Sequence, residues 1–108
     1  MSGKEAPSGA DETSEPVCER KFTVKAELGL HARPAGSFAQ MAGRYRCEVT
    51  LSRGGEWVNG RSVLSILSLA AAEGTVLSVR AVGTDAEHAV AALGELLEAD
   101  GIEGRPAD

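Results

Sequence analysis

The chain has 108 residues, the length of one small domain, and its 43% apolar and 25% charged residues are ordinary for a soluble globular protein. Its 16 acidic residues outnumber its 11 lysines and arginines, and the resulting net charge of -5 argues against a nucleic-acid partner. No apolar run reaches the roughly 18 residues of a membrane span and no signal peptide is visible, so a cytoplasmic location without membrane attachment is expected.

Residues 1–20 form an acidic segment that differs in composition from the rest of the chain. It is rich in Gly, Pro, Ser, Thr and acidic residues, and its few apolar residues follow no period. Such a stretch buries too little apolar surface to offset the entropy cost of ordering, so the sequence predicts a disordered extension over 1–20 and a folded domain over 21–108. A solvated spacer and a docking arm are both open as roles for the extension.

Alternation of apolar and polar residues predicts four strands. It runs over Lys21–Ala26, over Arg46–Leu51 and over Thr75–Val82. The turn Arg53–Gly55 predicts a hairpin, in which the chain returns as a short strand over Glu56–Val58.

Apolar residues at helical spacing predict three helices between and after these strands. The predicted helices are Ala32–Ala42, Ser62–Ala72 and Asp85–Ala99. Gly43 is expected to end the first helix, and Thr84 with Glu87 predicts a capping box at the start of the third.

The resulting order is β-α-β-β-α-β-α, and each predicted strand has one polar face. We therefore expect an α+β fold with two layers, in which a four-stranded antiparallel sheet carries the three helices on its apolar face. Because this arrangement hosts many functions, the chemistry has to be argued from particular residues.

The stretch LGLHARPAG contains the candidate site. His31 directly precedes the first helix, where the backbone N–H groups of Ala32 and Arg33 and the helix dipole favour an anion. Arg33 adds a permanent guanidinium, and Pro34 is well tolerated in a first helical turn. Together these residues predict a phosphate site built around a nucleophilic imidazole, although a plain surface or capping histidine is the alternative.

Other chemical groups in the sequence do not suggest a second site. His88 falls in the first turn of the third helix and is read as a solvated residue, and Cys18 and Cys47 are read as free thiols. The sequence has no Gly-rich nucleotide loop and no carboxylate cluster, so we expect neither a cofactor nor a metal. A phosphoryl-accepting imidazole without machinery to activate a nucleotide predicts a carrier rather than a kinase.

The motif LGLHARPAG, the stretch VNGRSVLSILSL over 58–69 and the later EGT over 73–75 resemble the HPr family. These are the histidine-containing phosphocarrier proteins of the bacterial phosphoenolpyruvate-dependent phosphotransferase system. The resemblance extends over residues 20–103 and implies the family's open-faced sandwich. It also implies that Nδ1 of His31 accepts the phosphoryl group, while Arg33 steadies the phosphate and engages partners. The implied partners are enzyme I as donor and an enzyme IIA-type domain as acceptor.

The same resemblance implies that Ser62 is a regulatory serine, modified by an ATP-dependent HPr kinase/phosphorylase, with a transcriptional regulator as a further partner. A plain N-cap serine is the alternative for Ser62, because it precedes an apolar helix. That helix is apolar on more than one side, so Val63, Leu64 and Leu67 predict an exposed docking patch.

Three functions are therefore compared. In the first, the protein is a phosphoryl carrier in sugar transport. In the second, it is a regulatory binding module of a nitrogen-related branch, in which phosphorylation of His31 or Ser62 selects partners without moving sugar. A small hydrolase with a phosphoenzyme on His31 is the third, and it is disfavoured because no acid is present to protonate a leaving group. Both the sugar-transport branch and the nitrogen-related branch stay open.

Overall fold

The computed structural model describes residues 15–99, which form four strands and three helices in the predicted β-α-β-β-α-β-α order. The strands are β1 (Val17–Thr23), β2 (Glu48–Ser52), β3 (Trp57–Asn59) and β4 (Val76–Val82). The helices are α1 (Ala32–Ala42), α2 (Val63–Leu67) and α3 (Ala86–Glu98).

The strands form one antiparallel sheet in the order β1-β4-β2-β3, which confirms the predicted α+β sandwich. Alternate residues of the two central strands face a single core, as the sequence predicts: Val49 and Leu51 in β2, and Leu77, Val79 and Ala81 in β4. Helix residues complete this core, among them Phe38, Ile66 and Leu93. The other face of the sheet carries polar and charged residues such as Lys21 and Arg80.

The first strand begins earlier than the sequence predicts. β1 starts at Val17 rather than Lys21, so the last residues of the segment expected to be disordered are ordered. The reason is pairing, since β1 lies antiparallel to β4 over its whole length, from Val17 opposite Val82 to Thr23 opposite Val76. Hydrogen bonds from a neighbouring strand support a polar sequence that has no hydrophobic period of its own. The rest of the predicted extension, residues 1–14, lies outside the described residues.

The second helix is shorter than expected, because α2 ends at Leu67 instead of continuing to Ala72. Ala70 takes a left-handed backbone with φ of 50°, which a continuing helix does not allow. The chain thereby leaves the helix, and the carbonyl oxygen of Ala71 accepts a hydrogen bond from Leu30 N–H at 2.9 Å.

The capping box predicted for the third helix is not formed. α3 begins at Ala86 with Asp85 as its N-cap, and the side chain of Asp85 makes no capping hydrogen bond. Instead, the Asp85 carboxylate accepts a hydrogen bond from Arg46 N–H at 2.8 Å, and the Thr84 hydroxyl donates to the Arg46 carbonyl oxygen at 3.5 Å. The two residues therefore hold the loop before β2 rather than the first turn of α3.

Candidate functional site

His31 is the N-cap of α1, with an extended backbone (φ -89°, ψ -168°) and an exposed imidazole that makes no capping hydrogen bond. Its backbone N–H donates to the Gly29 carbonyl oxygen at 3.0 Å, and its carbonyl oxygen accepts from Ala35 N–H at 2.9 Å. The main chain of His31 is therefore held at both ends while its ring faces solvent.

The loop before His31 is fixed against the segment that follows α2. Gly29 has φ of 76°, and a Cβ at this position would lie 2.6 Å from the Ala71 carbonyl oxygen, so only glycine fits. The next residue, Leu30, is 6% exposed and donates its N–H to that same oxygen at 2.9 Å. Steric and hydrogen-bonding constraints thus set the place from which His31 projects.

The first turn of α1 presents unsatisfied backbone donors beside the imidazole. Ala35 is the first helical residue whose N–H reaches an acceptor, and Pro34 has no N–H to satisfy. Within residues 15–99, the N–H groups of Ala32 and Arg33 have no protein acceptor. Arg33 is exposed on the same turn. Free N–H groups, the positive end of a helix dipole and a guanidinium form an arrangement that accommodates a phosphate.

Ser62 is the N-cap of α2, as the sequence predicts. Its Oγ accepts a hydrogen bond from Ser65 N–H at 3.2 Å, and the residue is half-buried. The capping role of Ser62 is therefore confirmed, while a regulatory role stays a prediction.

The expected docking patch is exposed at two of its three positions. Leu64 is 79% exposed and Val63 is 37% exposed, but Leu67 is half-buried and packs against the core. The exposed patch is therefore narrower than predicted, because Leu67 packs against the same core that the fully buried Ile66 joins. A further apolar residue, Leu28, is 79% exposed in the turn before His31. Leu28 is absent from the patch that the sequence predicts, although a leucine flanked by Glu27 and Gly29 fits poorly in a core.

The second histidine and the cysteines lie elsewhere. His88 is exposed on α3 and lines a surface pocket with Cys18 near the start of β1, whereas the loop that carries His31 follows the end of β1. Cys18 and Cys47 are both free cysteines, as predicted. Among residues 15–99, no three His, Cys, Asp or Glu side chains come together as metal ligands, and no helix is long and apolar enough to cross a membrane.

Known proteins share both this sequence pattern and this fold. The family model for the PTS HPr component phosphorylation site matches residues 18–99. The phosphocarrier protein HPr of Xylella fastidiosa strain Temecula1 is 41% identical over 82 residues, which cover 76% of this chain and 92% of the relative. The corresponding protein of Neisseria meningitidis is 38% identical over 81 residues, covering 75% of this chain and 91% of the relative.

Solved structures agree with the sequence relatives. The crystal structure of a phosphocarrier protein HPr from Bacillus anthracis superimposes with a TM-score of 0.72 at 33% identity, covering 75% of this chain and 96% of that one. An HPr structure from Thermoanaerobacter tengcongensis gives a TM-score of 0.73 at 34% identity, with 78% and 94% covered. The chain therefore belongs to the HPr family of phosphocarrier proteins of the phosphotransferase system.

Proposed function

We propose that this protein carries a phosphoryl group on His31, which it takes from phosphorylated enzyme I and passes to an enzyme IIA-type acceptor in the cytoplasm. The observation that supports this most directly is the exposed imidazole beside the unsatisfied N–H groups of Ala32 and Arg33. A nucleophile has to be accessible to two successive protein partners, and the phosphate it carries needs donors that remain available.

The reaction conserves the type of bond. Nδ1 of His31 attacks the phosphorus of the donor's phosphohistidine, a new N–P bond forms and the donor's N–P bond breaks, with the electron pair returning to the donor imidazole. In the second transfer the acceptor's histidine attacks the phosphorus, the N–P bond to His31 breaks, and the imidazole of His31 leaves with the electron pair. Because the bonds made and broken are alike, neither a nucleotide nor a metal has to supply energy at this step.

The residues around His31 stabilise the phosphorylated form. The backbone N–H groups of Ala32 and Arg33 donate to phosphate oxygens, and the helix dipole contributes about 0.3–1 kcal/mol to an anion at this place. The guanidinium of Arg33 adds a charge-assisted hydrogen bond and a feature that partners recognise. Transfer in both directions requires that this stabilisation be moderate, which suits an exposed rather than a buried site.

Ser62 regulates the carrier in the same proposal. A phosphate ester on its hydroxyl would lie at the N-cap of α2 and beside the exposed side chains of Val63 and Leu64. Negative charge at a helix N-terminus does not melt the helix, but a partner that covers the two apolar residues would have to desolvate it. Modification of Ser62 would therefore weaken docking without disturbing the fold.

Intact mass measurement after incubation with phosphoenolpyruvate and enzyme I tests the carrier function. We expect one acid-labile phosphoryl group on the parent and on His88→Ala, and none on His31→Ala. His88 is the matched control because it is the other histidine of the chain and is also exposed to solvent. Addition of an enzyme IIA domain should then remove the group. Full labelling of His31→Ala would refute the proposal.

A further inference from the structure

Arg53, which lies in the turn between β2 and β3, reaches across to the end of α2. Its Nη1 donates to the carbonyl oxygen of Leu69 at 2.8 Å and to that of Ala70 at 3.2 Å. These carbonyl groups follow the last turn of α2, where backbone acceptors have no partner within the helix. One exposed arginine therefore satisfies two acceptors from a segment that is distant in sequence.

The two carbonyl groups flank the one residue in 15–99 other than glycine that has a positive φ. Ala70 has φ of 50°, a left-handed conformation that a Cβ disfavours. Such a conformation persists only where neighbouring contacts impose it. The Leu69 carbonyl belongs to the peptide plane before Ala70 and the Ala70 carbonyl to the plane after it, so a single guanidinium nitrogen fixes both planes.

The residue after Ala70 supports the loop of the candidate site. The Ala71 carbonyl oxygen accepts a hydrogen bond from Leu30 N–H at 2.9 Å and lies 2.6 Å from the position that a Cβ on Gly29 would take. Leu30 immediately precedes His31 in the chain. A rotation of the peptide planes at Ala70 would move this oxygen and with it the starting point of α1.

The turn that carries Arg53 is held together by hydrogen bonds to the side chain of Ser52. Ser52 is 3% exposed, and its Oγ accepts hydrogen bonds from Gly54 N–H and Gly55 N–H at 3.1 Å each. The same hydroxyl donates to the Gly55 carbonyl oxygen at 3.1 Å. Arg53 therefore extends from a fixed base, which a side chain needs if it is to hold another segment in place.

We propose that Arg53 is a positioning residue for phosphoryl transfer, which holds Ala70 in its left-handed conformation and so fixes the backbone oxygen that supports the His31 loop. Arg53 does not touch the phosphoryl group. The proposal rests on the carrier function of His31, because it assigns to Arg53 the geometry of that reaction. Arg53→Ala is expected to slow phosphoryl acceptance about three- to tenfold, since small displacements of a reacting group reduce rates by such factors or more.

The test compares Arg53→Ala and Arg53→Lys with Arg80→Ala as control. Arg80 is also exposed, but it pairs with Glu19 on the open face of the sheet, with its Nε 3.7 Å from a carboxylate oxygen. Two quantities are measured, the rate of acceptance from phosphorylated enzyme I and the hydrogen exchange of Leu30 N–H. In Arg53→Ala we expect slower acceptance and faster exchange, whereas Arg80→Ala should match the parent. Arg53→Lys should recover much of the acceptance rate and much of the protection of Leu30 N–H from exchange, because an ammonium group can also donate to two carbonyl oxygens.

A second substitution separates positioning from general weakening of the fold. Glycine adopts φ near 50° without strain, so adding Ala70→Gly to Arg53→Ala should restore part of the transfer rate. Parent rates and parent Leu30 exchange in Arg53→Ala would overturn the proposal, and so would equal slowing by Arg80→Ala. If the parent itself takes up no phosphoryl group, the carrier function fails, and positioning of His31 for that reaction fails with it. If the parent does take up the phosphoryl group but Arg53→Ala leaves the hydrogen exchange of Leu30 N–H unchanged, only the positioning role is refuted.

Discussion

The ring of Phe22 in β1 lies against the backbone of Gly94 in α3, in the space that a side chain at position 94 would occupy. A Cβ on Gly94 would overlap with Cε1 and Cζ of Phe22, and both residues are buried. This close approach lets α3 pack directly on the edge strand β1. Residues of β1, of α3 and of the loop that precedes His31 therefore share one hydrophobic core.

Gly94→Ala is therefore expected to destabilise the protein. Alanine is favoured over glycine in a helix by about 1 kcal/mol, but forcing a methyl group into this packed contact costs about 1–3 kcal/mol in strain. We expect a net decrease in the free energy of unfolding, measured by urea denaturation. Gly36 in α1 is the matched control because a Cβ there has no atom within 4 Å. Gly36→Ala should instead raise the free energy by about 0.4–1 kcal/mol, and a gain at both positions would contradict the packing argument.

The elements that the sequence predicts well are those whose signals are local. α1 spans Ala32–Ala42 as predicted, because Pro34 belongs in a first turn and Gly43 follows the last apolar position. The inward residues Val49 and Leu51 also follow from alternation alone. His31 could be assigned to a helix start for the same reason.

Features that depend on distant partners could not be predicted. The start of β1 is set by pairing with β4. The end of α2 is set by the left-handed conformation of Ala70, which the turn between β2 and β3 contacts. In the sequence Arg53 is an ordinary turn residue, since nothing near it in the chain indicates hydrogen bonds to the carbonyl groups of Leu69 and Ala70. The Thr84–Glu87 pattern fits a capping box, yet the neighbouring loop uses both Thr84 and Asp85. Local patterns indicate which elements form, whereas tertiary contacts decide where they end.

Arg33 should affect transfer without affecting stability. Arg33→Ala removes the guanidinium that we propose contacts the phosphate, so we expect it to slow phosphoryl acceptance. Because Arg33 is exposed, the free energy of unfolding should change by less than about 0.5 kcal/mol. Arg33→Lys should recover only part of the rate, because an ammonium group lacks the planar fork of a guanidinium. Single-turnover labelling by phosphorylated enzyme I measures the three rates. Equal rates would show that Arg33 does not contact the phosphate.

The two thiols should differ in reactivity. Burial raises the pKa of the Cys47 thiol above its ordinary value of 9.0, with the charge of Arg61 acting in the opposite direction. The reactive thiolate is therefore disfavoured at Cys47, which is also buried away from reagents. Cys18 is only half-buried, so a reagent can reach its sulfur more easily. Iodoacetamide at mildly alkaline pH should modify Cys18 first, as peptide mass mapping would show. Faster modification of Cys47 in the folded protein would contradict this.

The raised pKa of Cys47 also has a consequence for stability. The folded protein retains the thiol proton to higher pH than the unfolded chain. The contribution of Cys47 to the free energy of unfolding is therefore complete below the ordinary pKa of 9.0, and it is lost as the pH rises from there through the higher pKa of the folded state. Cys47→Ala should therefore show a smaller decrease in the free energy of unfolding above about pH 9 than the parent. Urea denaturation across this range measures the difference, and parallel pH profiles would show that Cys47 does not contribute.

Substitutions of Ser62 should separate its capping role from an effect of charge. Ser62 Oγ accepts from Ser65 N–H at 3.2 Å, so Ser62→Ala is expected to lower the free energy of unfolding by about 1 kcal/mol. Aspartate and asparagine cap helices as well as serine does, so Ser62→Asp and Ser62→Asn should both retain stability. Only aspartate adds a charge beside Val63 and Leu64.

Phosphoryl acceptance should therefore be slow in Ser62→Asp alone. An uncompensated charge at an interface costs up to a few kcal/mol, and each step of about 1.4 kcal/mol weakens affinity about tenfold. At limiting enzyme I concentrations, the Asp variant should be labelled more slowly than the parent, while the Asn variant, which has the same shape without the charge, should keep the parent rate. Equal slowing by asparagine would assign the effect to side-chain size, and parent rates in both variants would leave Ser62 with its capping role only.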